Sequence, residues 1–538
     1  MNVYSLVMKQ NNSIFTNQVG FLPEDNKYFY ISGIEEADSQ EFELCDANSG
    51  KTVYSGKITT SLLNGRIDEL VGEEVFSGDF SSLKEPGTYF IRMGKKESFR
   101  FSVSDNVYDD LFFSTLNYFK LSRCGQGKCH TGTAEVYGTK EEVNVQGGWH
   151  DAGDYGRYIV AGTKTVMDLL LAYDEIGTEY KRFDILNEVR FELEWMLQMQ
   201  RKDGGVYHKI SCYHFCGFIN PEEEKDQLVL APVSISATAD FAGCLAYSAK
   251  YFENIDAGFA KKLLEAAEKA QEYLDTHEDD FYINPPEITT GGYGDKNLTD
   301  ERYFAACSLW AATGEEKYLK TAEEIREKEK KRVPDPQKPW DKGWEEFYSW
   351  AMVSGYGSEI LLQNESALEK IEGGKELLED IKAYYLKSAD NIVDTVNNSS
   401  FKTGSRFFMW GSNGYVCDLG HVLMVAYRIT KNEKYRLCAK AQIDYILGCN
   451  PLNYCYVTGM GTKNPVNPHH RPSGASKSVM PGMLAGGPCS GLHDEYAKTH
   501  LTGSAPLKCY VDAVPSYSTN EVAIYWNSAF VYLLAALK

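Results

Sequence analysis

No stretch of this 538-residue chain approaches the ~18 consecutive apolar residues of a membrane-spanning helix. The longest apolar run, Ala529 to Leu537, reads as a buried terminal helix. The start, Met1-Asn2-Val3-Tyr4-Ser5-Leu6-Val7-Met8-Lys9, lacks a basic segment leading into a long apolar one. No secretory signal is therefore visible, and a cytoplasmic location is expected, with secretion after signal removal as the alternative. Positive charge is scarce: 55 Lys and Arg against 76 Asp and Glu leave a net charge of −21. Phosphate recognition needs a basic surface, which argues against nucleic-acid binding. The 13 cysteines are odd in number and scattered along a large chain, which suits reduced thiols rather than a disulfide framework. What is present is a 43% hydrophobic content, enough for a large core in two or three domains. Aromatic residues make up 13%, with 36 Tyr and 8 Trp. Such an excess suits core packing and also a sugar cleft, since pyranose C–H faces stack on aromatic planes.

Residues 1–105 read as a β-sandwich. Short apolar segments such as Lys27-Tyr28-Phe29-Tyr30-Ile31, Phe42-Glu43-Leu44 and Gly87-Thr88-Tyr89-Phe90-Ile91 alternate with turn signals such as Asn48-Ser49-Gly50 and Glu85-Pro86-Gly87. From residue 106 to 538 helical periodicity takes over. Val189, Leu193, Met196 and Leu197 share one helix face, as do Leu263, Ala267, Ala270 and Leu274. Further helices are expected near 236–252, 301–312, 316–330, 365–396, 418–429, 433–447 and 521–537. A shared Glu-Lys-Tyr at 316–318 and 433–435 hints at a repeated helical hairpin. Helical hairpins with no strands between them point to an all-α toroid. The loops 201–235, 277–298 and 448–520 are long, and long loops in compact domains are more often functional than accidental.

Three segments carry the chemistry. In Gly147-Gly148-Trp149-His150-Asp151-Ala152-Gly153-Asp154-Tyr155-Gly156-Arg157-Tyr158 two carboxylates lie three residues apart in a Gly-rich turn. Like charges held together raise at least one pKa, or share a water; a helix N-cap with an extra surface Asp is the plainer alternative. Asn467-Pro468-His469-His470-Arg471-Pro472-Ser473 clusters hydrogen-bond donors suited to hydroxyls, or forms a solvated loop. In Ser516-Tyr517-Ser518-Thr519-Asn520-Glu521-Val522-Ala523-Ile524, Asn520 is expected to cap the last helix with Glu521 in its first turn. Glu521 is then either a favourable charge on the helix dipole or an acid kept protonated in a partly apolar cleft.

Together, in this order, the three blocks resemble glycoside hydrolase family 9, the inverting cellulases, in the subgroup with an immunoglobulin-like domain before the catalytic domain. The resemblance runs over nearly the whole chain and implies an (α/α)6 barrel for 106–538. It implies Asp154 as the general base, Asp151 as a holder of the attacking water and Glu521 as the general acid. It also implies sugar contacts from His469 and Arg471, with Tyr517 in the same subsite. Trp410, in Phe408-Met409-Trp410-Gly411, is similar to a family stacking platform. His208, in Gly204-Gly205-Val206-Tyr207-His208-Lys209, is a further sugar-contact candidate, with a buried structural role as the alternative.

Cys124, Cys129, His130 and His150 form a Cys2His2 set that suits tetrahedral zinc. The resemblance adds weight, because its subgroup carries zinc on matching residue types. Four protein ligands would make that zinc structural. Cys212, His214 and Cys216 have the right types too, and read as buried or loop thiols. Asp295, Asn297, Asp300 and Glu301 are hard donors suited to calcium, and Asp300-Glu301 resembles a family calcium pair. A later acidic ligand is replaced by the apolar Trp350-Ala351-Met352-Val353 segment, and a capped helix start is the plain alternative. The reading is an inverting hydrolase of β-1,4-linked gluco-oligosaccharides, an exo-acting cellodextrinase or glucosidase, with structural zinc and a possible calcium. An endoglucanase is the second enzyme reading, and a non-catalytic carbohydrate-binding protein is the alternative of another class.

Overall fold

The structure is a computed structural model that describes residues 14–33, 40–59, 61–125, 133–334 and 343–538. Its N-terminal part is β-rich. The strands are β1 (Ile14–Phe15), β2 (Gly20–Phe21), β3 (Tyr28–Ser32), β4 (Glu41–Asp46), β5 (Thr52–Lys57), β6 (Val75–Asp79), β7 (Gly87–Met93), β8 (Lys96–Glu97) and β9 (Phe101–Val103). They form one sheet in the order β1-β3-β6 and a second in the order β2-β9-β7-β4-β5, with β8 paired to β7. The period-2 alternation of the sequence sets the inner faces. Ile14, Phe29 and Ile31 of the first sheet meet Phe21, Phe42, Leu44, Ile91 and Phe101 of the second in one immunoglobulin-like core.

Among the described residues twelve longer helices follow. These are α1 (Asp109–Leu121), α2 (Ile159–Ile176), α3 (Ile185–Met196), α4 (Ile235–Phe252), α5 (Ala257–Thr276), α6 (Thr299–Thr313), α7 (Glu316–Lys331), α8 (Ser354–Gln363), α9 (Gly374–Asn397), α10 (Ser412–Thr430), α11 (Glu433–Ile446) and α12 (Ile524–Ala536). They alternate between two roles, as in an (α/α)6 barrel. The even-numbered helices are buried on nearly every side; every residue from Ile159 to Ala172 of α2 is buried, as is almost all of α12. A helix buried all round belongs to an inner ring. The odd-numbered helices are amphipathic, and α5 buries Leu263, Ala267, Ala270 and Leu274 on one face. The inner ring closes where α12 packs on α2. Its centre is polar: Lys164 of α2 donates to Asp168 and to Asp418 of α10, both at 2.9 Å. Asp168 also accepts from Tyr356 of α8 at 2.6 Å and from Ser528 of α12 at 2.7 Å. A buried ion pair persists only when its remaining hydrogen-bonding capacity is satisfied, and this network does so while tying four inner helices together.

Three sequence expectations change. The helix expected over 365–396 is two, Glu365–Leu368 and α9, because Gly373 sits at φ 82° and breaks the run. The last helix begins at Ile524, not at 521. The helical region also contains a sheet, of β10 (Thr133–Val136), β11 (Glu142–Asn144), β12 (Arg157–Tyr158), β13 (Lys209–Cys212) and β14 (Leu228–Leu230), in the order β11-β10-β14-β13-β12. Strands of two to four residues are too short for periodicity to separate them from buried loop or helix.

The two parts are docked by specific hydrogen bonds. Gln18 N–H donates to the Leu447 carbonyl at 2.9 Å, and Gln18 Oε1 accepts from the Thr462 and Lys463 backbone at 3.0 and 2.9 Å. Asp68 Oδ2 accepts from Ser400 N–H at 2.9 Å, and its Oδ1 accepts from Leu70 N–H at 3.0 Å. Phe15 and Tyr30 pack on Phe401 at 5.3 and 5.5 Å. Asp68→Ala strands a buried backbone donor, Ser400 N–H, in the helical part. It should cost about 1–3 kcal/mol, read as a lower urea midpoint; an unchanged midpoint would show that the docking contributes nothing there.

Candidate active site

The catalytic loop is pinned from below by α3. Trp149 is fully buried, its Nε1 donates to Glu188 at 2.8 Å and its backbone N–H donates to Glu192 at 2.7 Å. Arg123, just past the end of α1, holds Glu188 by one bidentate edge, Nε donating at 2.8 Å and Nη2 at 2.9 Å. The turn then closes on itself, Asp151 N–H donating to the Gly156 carbonyl at 3.0 Å. This leaves Asp151 and Asp154 only 1% and 7% exposed, so neither is a solvated helix cap.

The other two blocks meet this loop through backbone hydrogen bonds. His469 pairs in parallel with Glu521, and His469 N–H donates to the Asn520 carbonyl at 2.9 Å. Arg471 N–H donates to the Gly153 carbonyl at 3.1 Å, and Ile524 N–H to the Asp151 carbonyl at 2.8 Å. Gly153 sits where the three cross: a Cβ there would lie 2.4 Å from the His469 carbonyl and 2.9 Å from Glu521 Oε1. Glu521 is thus not in the first turn of a helix. It follows the short helix Tyr517–Asn520 in an extended conformation, and the helix-dipole alternative falls away.

The three carboxylates differ electrostatically. Burial pushes all three upward, and mutual repulsion adds to it for Asp151 and Glu521. Asp154 has the most compensation: the Arg471 cation, the Gly156 N–H at 3.1 Å, the Tyr158 hydroxyl at 3.0 Å and Lys209. Asp151 is offset by the Tyr293 hydroxyl, which donates to it at 2.6 Å. Of this coupled pair Asp154 ionises first. Glu521 is held well above the usual carboxylate range by burial and by the two aspartates. A carboxyl whose upward shift is offset by a cation and hydrogen-bond donors, beside one held well above the usual range, is the pattern that general acid–base chemistry requires.

Arg471 is nearly buried, 7% exposed; its Nε donates to the Cys216 carbonyl at 2.9 Å and its Nη1 to Gly153 at 2.7 Å. It joins the catalytic loop to the 213–220 loop. His469 Nδ1 lies 2.6 Å from the Val514 carbonyl. A carbonyl can only accept, so Nδ1 carries the proton, and with its pKa lowered by burial the ring presents Nε2 as an acceptor for a hydroxyl. Trp410 is 44% exposed and its ring lies 5.1 Å from that of Tyr517. His208 is a correction. It is fully buried, stacks on Tyr282 at 3.6 Å, and both ring nitrogens are engaged, by Ser234 and by the Gly292 carbonyl, each at 2.8 Å. That is the structural role, not a sugar contact.

Several supporting residues carry no sequence signal. Asp512 accepts from the Val466 and Asn467 backbone, both at 2.8 Å, and from Asn520 at 2.8 Å. Asp494 accepts from Ser518 N–H at 3.0 Å, in the turn that leads to Glu521. Lys209 donates to the Thr290 hydroxyl at 3.0 Å, and burial lowers its pKa to about 7 against the pull of Asp154. Asp494 and Asp512 lie outside the quoted segments and Lys209 merely follows His208 in one of them; all three act by tertiary proximity.

Of the zinc set, Cys129 and His130 lie outside the described residues. Cys124 and His150 fit one face of a short antiparallel pairing: Arg123 opposes Trp149, Cys124 N–H donates to Gly148 at 2.9 Å and His150 N–H to Ser122 at 2.8 Å. Residues one step either side of a paired couple share its opposite face. Among the described residues no three His, Cys, Asp or Glu side chains are arranged to hold one metal ion. Asp295, Asp300 and Glu301 do gather with Asp240; burial raises Asp295 to about 6, and burial with repulsion from Asp295 raises Asp300 to about 7. The oxygens of Asp300 are nevertheless taken by Asn297 at 3.2 Å and Val353 N–H at 2.8 Å. Asp295 Oδ1 accepts from Asn297 N–H at 2.8 Å. Asp295 Oδ2 and both carboxylate oxygens of Glu301 and of Asp240 are buried without a hydrogen-bond partner among the described residues, so this acidic start of α6 keeps hard donors uncommitted.

Comparison with known proteins agrees with this geometry. Residues 108–534 match the model of glycosyl hydrolase family 9, and residues 9–98 that of the cellulase N-terminal ig-like domain. A cellodextrinase of Butyrivibrio fibrisolvens is 35% identical, covering 97% of this chain and 99% of its own. The crystal structure of a single mutant of a thermostable endoglucanase from Alicyclobacillus acidocaldarius superposes with a TM-score of 0.86 at 32% identity, covering 98% of this chain and 99% of its own. A zinc-binding triple mutant of a family 9 endoglucanase superposes with a TM-score of 0.87 at 27% identity, covering 96% and 99%. With its helical region matched almost end to end and its sandwich matched separately, the chain belongs to glycosyl hydrolase family 9 and is a glycoside hydrolase with an N-terminal immunoglobulin-like domain.

Proposed function

We propose that the chain hydrolyses β-1,4-glucosidic bonds of cello-oligosaccharides with inversion, acting from chain ends as a cellodextrinase. The observation that carries this reading is the pairing of Asp154, compensated by Arg471 and Tyr158, with the buried Glu521, held well above the usual carboxylate range, across Gly153. Asp154 takes a proton from a water that Asp151 also holds. That water's oxygen attacks the anomeric carbon as the glycosidic C–O bond breaks, and Glu521 gives its proton to the departing oxygen. His469 Nε2 accepts from a sugar hydroxyl, and Trp410 with Tyr517 offers a stacking face. End-wise action is supported by the full-length likeness to a cellodextrinase. Cellotetraose followed by NMR should show α-anomer first at the new reducing end, with one product length dominating early. Initial β-anomer would overturn inversion; an even spread of product lengths would overturn end-wise action in favour of an endoglucanase.

A structural zinc on Cys124, Cys129, His130 and His150 belongs to the same reading. It is supported by the shared face of Cys124 and His150 and by the zinc-binding triple mutant of a family 9 endoglucanase. Bound there, zinc would supply no open coordination position and would clamp the end of α1 to the loop that presents Asp151. Elemental analysis should find about one zinc per chain, and chelation should lower both Tm and turnover. Metal-free protein that keeps both would end this assignment.

A further inference from the structure

The exposed aromatics at the mouth of the site fall into two groups. Trp410 and Tyr517 lie beside the turn that leads to Glu521. Phe215 and Phe218 come from the 213–220 loop, are 48% and 37% exposed, and lie on the guanidinium of Arg471 at 5.1 and 5.7 Å. His469 stands between the groups: its ring meets Phe218 edge-on at 5.3 Å and Tyr517 at 5.9 Å. Exposed phenyl rings are costly unless something covers them, yet this loop is built to keep them in place. Tyr155 donates to the Ile219 carbonyl at 2.6 Å, Arg471 holds the Cys216 carbonyl, and Asn220 with Glu223 forms a capping box just after the loop. Phe218 is seated against Gly474, where a Cβ would come within 2.5 Å of its ring. Phe215 lines the same narrow pocket as Asp154 and Arg471.

We infer that Phe215 and Phe218 form a second sugar platform, on the other side of His469 from Trp410 and Tyr517, so that the two platforms hold sugar units at different positions along one β-1,4-glucan chain and together set which bond is cut. This rests on the proposed activity and adds specificity-determining residues to it. The Arg471 cation beneath the phenyl rings serves two ends: it compensates Asp154 and it keeps the platform in register with the base.

The test uses cellopentaose carrying 18O at its reducing end, with products read by mass spectrometry. Trp410→Ala and the Phe215→Ala/Phe218→Ala double variant should shift the preferred bond in opposite directions along the chain. A shift in the same direction, or none in the double variant, overturns the second platform. Binding of cellopentaose to Glu521→Gln protein, measured by calorimetry, gives a readout without turnover. Adding the double substitution should weaken it about tenfold, and unchanged affinity overturns the proposal. Thermal melts of each variant guard against misfolding. Should wild-type protein fail to cleave cellopentaose, the hydrolytic reading fails, while the calorimetric arm still decides the platform.

Discussion

Glu521→Gln should lower kcat on cellotetraose by on the order of 10²–10⁴-fold with affinity for the oligosaccharide retained. The amide keeps the shape of the side chain and can donate a hydrogen bond, but it cannot deliver a proton to the leaving oxygen. The loss should be smaller on an aryl glycoside, whose departing phenolate needs less protonation, and that contrast separates an acid from a residue that merely shapes the cleft. The pH dependence follows from the direction of its shift. Burial and the neighbouring aspartates raise the Glu521 pKa well above the ordinary range; the protonated form is the active one, so turnover is lost as pH rises through that raised value. The variant should lack this alkaline limb. Unchanged hydrolysis would remove Glu521 from the mechanism.

Asp154→Asn should cause a loss of similar order, about 10²–10⁴-fold, and should erase the opposite limb. Here the ionised form is active. Burial raises the Asp154 pKa while Arg471, the Gly156 N–H, the Tyr158 hydroxyl and Lys209 pull it back, so wild-type activity falls as pH drops through a value above the ordinary carboxylate range. An amide at 154 keeps acceptor geometry for Gly156 and Tyr158 but cannot take a proton from water. Residual turnover should therefore be flat on the acid side. An acid limb that persists in the variant would transfer the base role elsewhere, with Asp151 as the first residue to test.

Much of this site was legible because its chemistry is concentrated in short blocks. Asp151 and Asp154 share one Gly-rich turn, and Glu521 follows a polar run directly. The missing parts act at a distance. Asp494 and Asp512 lie in a long loop and reveal themselves only by the backbone groups they accept from. The five-stranded sheet escaped because strands of two to four residues carry no period. His208 shows the reverse error: its chemistry suits a sugar contact, but two internal hydrogen bonds and a stacked Tyr282 consume it.

The amino-acid sequence by itself determined the class of this protein: a β-sandwich by its period of two, helices by their period of 3.6, a hydrolase family by three ordered blocks, and a strongly acidic net charge. Those are local properties, written in neighbouring residues. The tertiary structure alone decided which carboxylate is compensated and which is held well above the usual range. A pKa depends on burial and on charges that arrive from elsewhere in the chain, here Arg471 beside Asp154 and both aspartates beside Glu521. It also decided that Phe215 and Phe218 stand beside His469, since that proximity is made by the closing of the barrel and not by any run of residues.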